Sequence, residues 1–186
     1  MLELLMKRRS IRKYKAEAVS EESLKKIMQA ALLSPSSRGR NPWEFIVVQN
    51  KEVLQELGKC RHPKQAFLPD TPAAIVVLGD ASLTDVWVED CSIAMTIMQL
   101  EAETLGLGSC WIQIRNRMAQ GEEQTSNDFV KELLHIPEQY EVLAILAVGV
   151  PDEEKPGRML EDLQYSKIHI RMRKQHGATG NKQKHC

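Results

Sequence analysis

Apolar positions along the chain follow two rhythms, one helical and one extended. Leu2, Leu5 and Met6 recur at helical spacing and predict a short opening helix over 2–9. In "VSEESLKKIMQAALLSP", Leu24, Ile27, Met28, Ala31 and Leu32 share one helical face. Ser20 supplies an N-cap and Val19 with Leu24 a hydrophobic staple, while Ser34-Pro35 ends the helix. Residues 43–49 ("WEFIVVQ") read as a strand and 51–59 as a short helix. The continuous apolar run 73–79 ("AAIVVLG") predicts a strand buried on both faces, as does 141–150 ("EVLAILAVGV"). Between them come a long helix from a capping Thr84 to Gly106, apolar nearly all round and so expected to be central, a strand over 109–114, and a capped amphipathic helix over 125–137 stopped by Pro137.

After Pro151 the pattern changes to many charges and few core positions. This stretch reads as an arm lying on a surface, that of another subunit, with a basic, disordered tail over 171–186. There is no internal repeat and no linker, so residues 1–170 are expected to form one domain with its arm from about 151. Two helices precede any strand, and the "GLG" of 106–108 precedes a strand instead of opening a helix after one. A doubly wound dinucleotide fold is disfavoured on that ground, and an α+β layout is expected.

Charge adds one feature. The 25 Lys and Arg balance the 25 Asp and Glu, which argues against a general nucleic-acid binder. Yet "KRRSIRKYK" (7–15) concentrates six cations in nine residues. Its readings are a solvated face with Arg8 and Arg9 complementing a helix dipole, a nucleic-acid patch, or a pocket for one phosphate. For the last, Arg8, Arg9 and Arg12 offer planar forks and Ser10 a hydroxyl. The four cysteines, Cys60, Cys91, Cys110 and Cys186, contain no C-x-x-C pair and suggest neither zinc nor a disulfide framework; Cys91 and Cys110 read as packed thiols. The five histidines are scattered and form no ligand set. "MLELLMKRRS" is too short in apolar residues for a signal peptide or a span, so a cytoplasmic address is expected.

Three further stretches carry polar chemistry. In "SPSSRGRNPWEF" (34–45), Ser36, Ser37 and Asn41 stand beside Trp43 and would suit a planar heterocycle with polar edges, or serve as a plain connection. The glycines of "LGLGSCWIQIRNR" cap a helix and turn into a strand. Arg158, in "KPGRML", could converge on the same phosphate or remain a surface charge.

In this order, "RRSIRKY", "SPSSRGRNPWEF", the long apolar helix running into "LGLGSCWI", "AVGVP" and "KPGR" resemble the nitroreductase-like flavoproteins over roughly residues 2–170. The resemblance implies a central mixed, mainly antiparallel sheet flanked by helices around a long buried helix, in an intertwined homodimer. It implies FMN as cofactor, NADH or NADPH as co-substrate, and a ping-pong reduction of a nitroaromatic, quinone or activated alkene, with no nucleic-acid or membrane partner. By position, Arg8, Arg9 and Ser10 would grip the FMN phosphate and Arg12 the pyrimidine edge. Pro35, Ser36, Ser37 and Asn41 would reach the flavin from the partner subunit. Trp111, Ile112 and Gln113 would lie over the ring, the Gln113 amide donating to N5, and Arg158 with Lys155 would return to the phosphate. Asn41 stands where the family commonly has Gln, and Val150-Pro151 where Tyr-Pro is frequent. A flavin-binding redox sensor or carrier without turnover is the alternative, and a basic-arm nucleic-acid regulator a more distant one.

Overall fold

The computed structural model describes residues 1–61 and 67–171. Of the basic tail expected over 171–186 all but Arg171 lies outside the described residues, as do Cys186, His62, His176 and His185.

Four strands form one sheet in the order β1-β2-β4-β3: β1 (Trp43–Val48), β2 (Ala73–Asp80), β3 (Gly108–Gln113) and β4 (Tyr140–Gly149). All three strand pairs are antiparallel, and among the described residues the parallel component is a single bridge between Ser10 and Ser109. The two uninterrupted apolar runs become the central strands β2 and β4, sealed on both faces as their composition requires. A register shift between Val77 and Leu78 opposes two residues of β4 to one of β2, so Leu143 and Ala144 both face the same layer.

Among the described residues five α-helices complete the fold: α1 (Leu2–Lys7), α2 (Glu21–Leu32), α3 (Lys51–Leu57), α4 (Trp87–Thr104) and α5 (Ser126–Leu134). On one face, Leu24, Ile27 and Ala31 of α2 and Cys91, Met95 and Met98 of α4 pack with Ile75, Val77 and Leu146. On the other, Leu54 and Leu57 of α3 and Val130 of α5 pack with Val76, Ile112 and Ile145. Three N-caps hold their helices by side-chain acceptance: Ser20 from Ser23 N–H, Asn50 from Val53 N–H and Thr125 from Asp128 N–H.

Three boundaries differ from expectation. Thr84 does not cap α4; its hydroxyl accepts from Val86 N–H at 3.3 Å, closing a turn ahead of a helix that starts at Trp87. Helix α5 ends at His135 in a left-handed C-cap, before Pro137 can act. Helix α4 is central but not enclosed: Cys91, Ala94, Met95 and Met98 are buried, whereas Ile93 is 41 % exposed and, with Ser92, Thr96 and Ile97, lines an open hollow.

Candidate functional site

The basic segment 7–15 is placed by strand-like pairing on two sides. Ile11 N–H donates to the Ser109 carbonyl of β3 at 3.0 Å. Opposite, residues 150–158 run antiparallel to it with a near-constant register. Lys15 N–H donates to Val150 O at 3.0 Å, Tyr14 bridges Pro151, Asp152 N–H donates to Lys13 O at 2.9 Å, and Arg158 N–H donates to Met6 O at 2.8 Å. So the first part of the expected arm packs on its own chain. Residues 159–171 then run on with exposed apolar side chains, Ile168 64 % and Ile170 79 % exposed among them.

Side chains tighten this pairing. Lys155 Nζ donates to the Ser10 carbonyl at 2.6 Å, and Arg9 Nη1 donates to the Pro156 carbonyl. Glu153 Oε1 accepts from Arg12 N–H at 2.5 Å and Lys13 N–H at 3.3 Å and pairs with Lys155 Nζ at 3.0 Å. Those contacts, the Arg12 amide first, hold the Glu153 carboxyl below its ordinary pKa.

Arg8, Ser10, Arg12 and Lys155 all lie near enough to the Cys110 thiol to act on it. Burial pushes that thiol's pKa up, while Arg12, Lys155, the Ser10 hydrogen bond and Arg8 pull it down. Lys7, Arg9, Ile11 and Lys15 line a neighbouring cleft of 980 Å³, to which Glu153, Lys155 and Pro156 also contribute. Of the sequence candidates, then, Arg8, Ser10, Arg12 and Lys155 share the neighbourhood of Cys110, Arg9 and Lys155 both line the adjoining cleft, and Arg158 is brought alongside residues 6–8 by its backbone. Three cations and a hydroxyl in one neighbourhood suit a phosphate. Arg12 also lies 5.9 Å from the Phe67 ring centroid.

Beyond the cations lies the free edge of β3. Ile114 N–H bonds the Leu143 carbonyl, and the strand register makes 110 and 112 likewise point toward β4. Residues 109, 111 and 113 therefore turn their backbone groups outward. The Gln113 N–H accordingly projects off the sheet on the same edge that carries Ser109 and the basic segment. Ile112 turns its backbone toward β4, and its side chain is buried. Trp111, half-buried, donates its indole N–H to Gln113 Oε1 at 2.9 Å.

The polar loop sits elsewhere on the chain. Ser37 N–H donates to Asp90 Oδ1 at 2.9 Å near the start of α4, whereas Lys7 pairs with Glu103 at 3.2 Å near its end. At 1.5 Å rise per residue those anchor points are roughly 20 Å apart. Hence Pro35, Ser36, Ser37 and Asn41 do not join the cations of their own chain. Ser36 Oγ donates to Asn41 Oδ1 at 2.6 Å and accepts from Asn41 N–H at 3.0 Å, closing the loop on itself. Asn41 has φ 48°, a left-handed backbone that Asn tolerates better than a longer amide. Trp43, expected beside a ligand, is instead buried in the α2/α4 layer.

Sequence reasoning missed two residues. Asp90 is 3 % exposed, and its Oδ2 has no hydrogen-bond partner among the described residues. Arg61 donates to the Gln113 carbonyl at 2.7 Å across 52 positions, a contact with no local sequence signal.

Comparison with known proteins agrees with this architecture. The model of the Nitroreductase family matches residues 5–62 and 59–150. An FMN-dependent nitroreductase from Clostridium difficile superposes with TM-score 0.88 at 49 % identity, covering 91 % of this chain and 98 % of its own. A protein of Archaeoglobus fulgidus that carries the name NADH dehydrogenase/NAD(P)H nitroreductase is 39 % identical over 158 residues, 83 % of this chain and 87 % of that one. An NADPH-flavin oxidoreductase of Vibrio harveyi is 29 % identical over 82 % of this chain and 66 % of its own length. With matched segments spanning most of the sequence and the α+β architecture in place, this chain belongs to the nitroreductase family.

Proposed function

We propose that the protein is an FMN-dependent oxidoreductase that draws electrons from NADH or NADPH and delivers them to an electrophilic acceptor such as a nitroaromatic, a quinone or an activated alkene. The observation that carries this reading is the meeting of Arg8, Ser10, Arg12 and Lys155 around Cys110, next to a strand edge whose Gln113 N–H points outward. The set fits FMN by its chemistry: forked cations and a hydroxyl for a phosphate, and a guanidinium with an outward amide for the polar edges of a heterocycle.

In this reading Arg8, Ser10 and Lys155 hold the phosphate, with Arg158 beside them. Arg12 faces the pyrimidine edge, where a fixed positive charge favours an electron-rich ring. Gln113 N–H orients the ring by donating to N5. When bound, FMN supplies the two-electron chemistry between nicotinamide and acceptor. Nicotinamide and acceptor would use the site in turn, in a ping-pong cycle.

A homodimer completes the site. Leu33 is 84 % exposed at the end of α2, and the exposed apolar face of α4 and the apolar arm 159–171 add surface that one chain leaves uncovered. The Ser36–Asn41 loop, remote from its own cations, is then free to reach a partner's flavin. Cys60, Cys91 and Cys110 are free buried thiols, suited to a reducing cytoplasm. Among the described residues no helix is long and apolar enough to cross a membrane.

The direct test is a visible spectrum of the purified protein after adding FMN and removing excess. Retained flavin bands that bleach with NADH or NADPH and return on adding menadione or a nitroaromatic support the reading. A colourless protein contradicts it.

A further inference from the structure

Gln113 ends β3, and among the described residues its polar groups are engaged apart from the backbone N–H. Its Oε1 accepts from the Trp111 indole at 2.9 Å, its Nε2 donates to the Arg115 carbonyl at 2.9 Å, and its own carbonyl accepts from Arg61 Nη1 at 2.7 Å. An outward-facing residue of an antiparallel edge projects N–H and C=O from the same side of the strand. The guanidinium bound to that carbonyl therefore sits within a few ångströms of whatever atom accepts the Gln113 N–H.

We propose that Arg61 is a positioning residue of the reaction: it fixes the Gln113 edge and holds a positive charge beside the end of the flavin where electrons enter. This rests on the FMN reading above. Arg61 is half-buried, and its charge is disfavoured first by desolvation and then by the neighbouring Arg117, with no carboxylate among the groups that influence it. Among the described residues a cation in that setting has no carboxylate partner, and it gains a counter-charge as negative charge arrives on the ring held at the adjacent N–H. Its contact to a carbonyl, rather than to an acid, leaves the full charge available. The contact also explains why Gln113 is clamped from three directions while its N–H is left pointing off the edge.

The test compares the parent protein with Arg61→Gln and Arg61→Lys by FMN titration, by thermal melting and by the midpoint potential of the bound flavin. Arg61→Gln is expected to bind oxidised FMN within about threefold of the parent, because the phosphate grip is untouched. Its preference for reduced over oxidised flavin is expected to fall about tenfold, a shift of roughly 30 mV to more negative potential for a two-electron couple. Arg61→Lys keeps the charge and is expected to shift less than half as far. An unchanged potential in flavin-loaded Arg61→Gln overturns the role of Arg61 and leaves the FMN reading standing. A Lys variant displaced from the parent by the full tenfold overturns the charge argument, and can be read even if the Gln variant fails to fold. A parent protein that takes up no FMN overturns both.

Discussion

Lys155 and Ser10, 145 residues apart, are joined by a 2.6 Å hydrogen bond from the ammonium to the main-chain carbonyl. That bond is the midpoint of the antiparallel pairing that binds residues 150–158 to the basic segment. It turns a run of like charges into an ordered set, because Glu153 offsets part of the repulsion and fixes the Arg12 and Lys13 amides.

Glu153 gives this pairing a predictable pH dependence. Its carboxyl pKa lies below the ordinary 4.5 in the folded chain, chiefly through the Arg12 amide. A lowered folded-state pKa stabilises above the unfolded value and loses that contribution as pH falls through the folded one. Glu153→Gln should therefore melt a few degrees below the parent at pH 7, and the gap should close as pH drops below 4.5. Melting curves from pH 7 to pH 3 check this.

The contact between the basic segment and β3 depends on a missing side chain. A Cβ on Gly108 would meet Ile11 side-chain atoms at 2.8–2.9 Å. Gly108→Val should force the two strands apart at a cost of about 1–3 kcal/mol, or roughly 2–12 °C in melting temperature. It should also weaken FMN binding, since Ser10 and Arg12 flank Ile11. Calorimetry and flavin titration on one preparation measure both.

The Ser36–Asn41 loop is tied to α4 through the Asp90 carboxylate. Hydrogen bonds to charged acceptors contribute about 1.5–3 kcal/mol. Asp90→Ala should therefore speed hydrogen exchange at the Ser37 amide by about ten- to a hundredfold, with the sheet amides of β2 and β4 unchanged. Exchange read by mass spectrometry or NMR tests it.

The buried thiols predict alkaline behaviour. Desolvation raises Cys60 and Cys91 from 9.0 to about 12. A group whose folded pKa is raised contributes fully below the unfolded value and loses that contribution as pH rises toward the folded one. Stability should accordingly hold to about pH 9 and fall between 9 and 12, and a Cys60→Ala/Cys91→Ala double variant should flatten that fall. Melting temperatures from pH 8 to pH 11 decide it.

What the sequence made legible was what acts over a few residues. Ser20 and Thr125 announce their helices because a cap needs only an acceptor three residues before its donor, and the runs 73–79 and 141–150 announce central strands because both faces must be apolar. The start of α4 was misread because Thr84 satisfies a nearer amide, that of Val86. Partners distant along the chain left no local trace. The pairing of 6–15 with 150–158, the Arg61 bond to Gln113 and the Asp90 anchor are set by the tertiary fold. Strand alternation turns Ile112 inward, but this follows only once the extended geometry and the register on β4 are known.

The central claim is that the basic segment grips a flavin phosphate and ring edge. Equilibrium titration of FMN into the apo-protein and its Arg8→Ala and Arg12→Ala variants tests it most directly. Each variant should bind about ten- to a hundredfold more weakly, the value of a charge-assisted hydrogen bond, while melting within a few degrees of the parent. Equal FMN affinity in parent and variants would contradict the account.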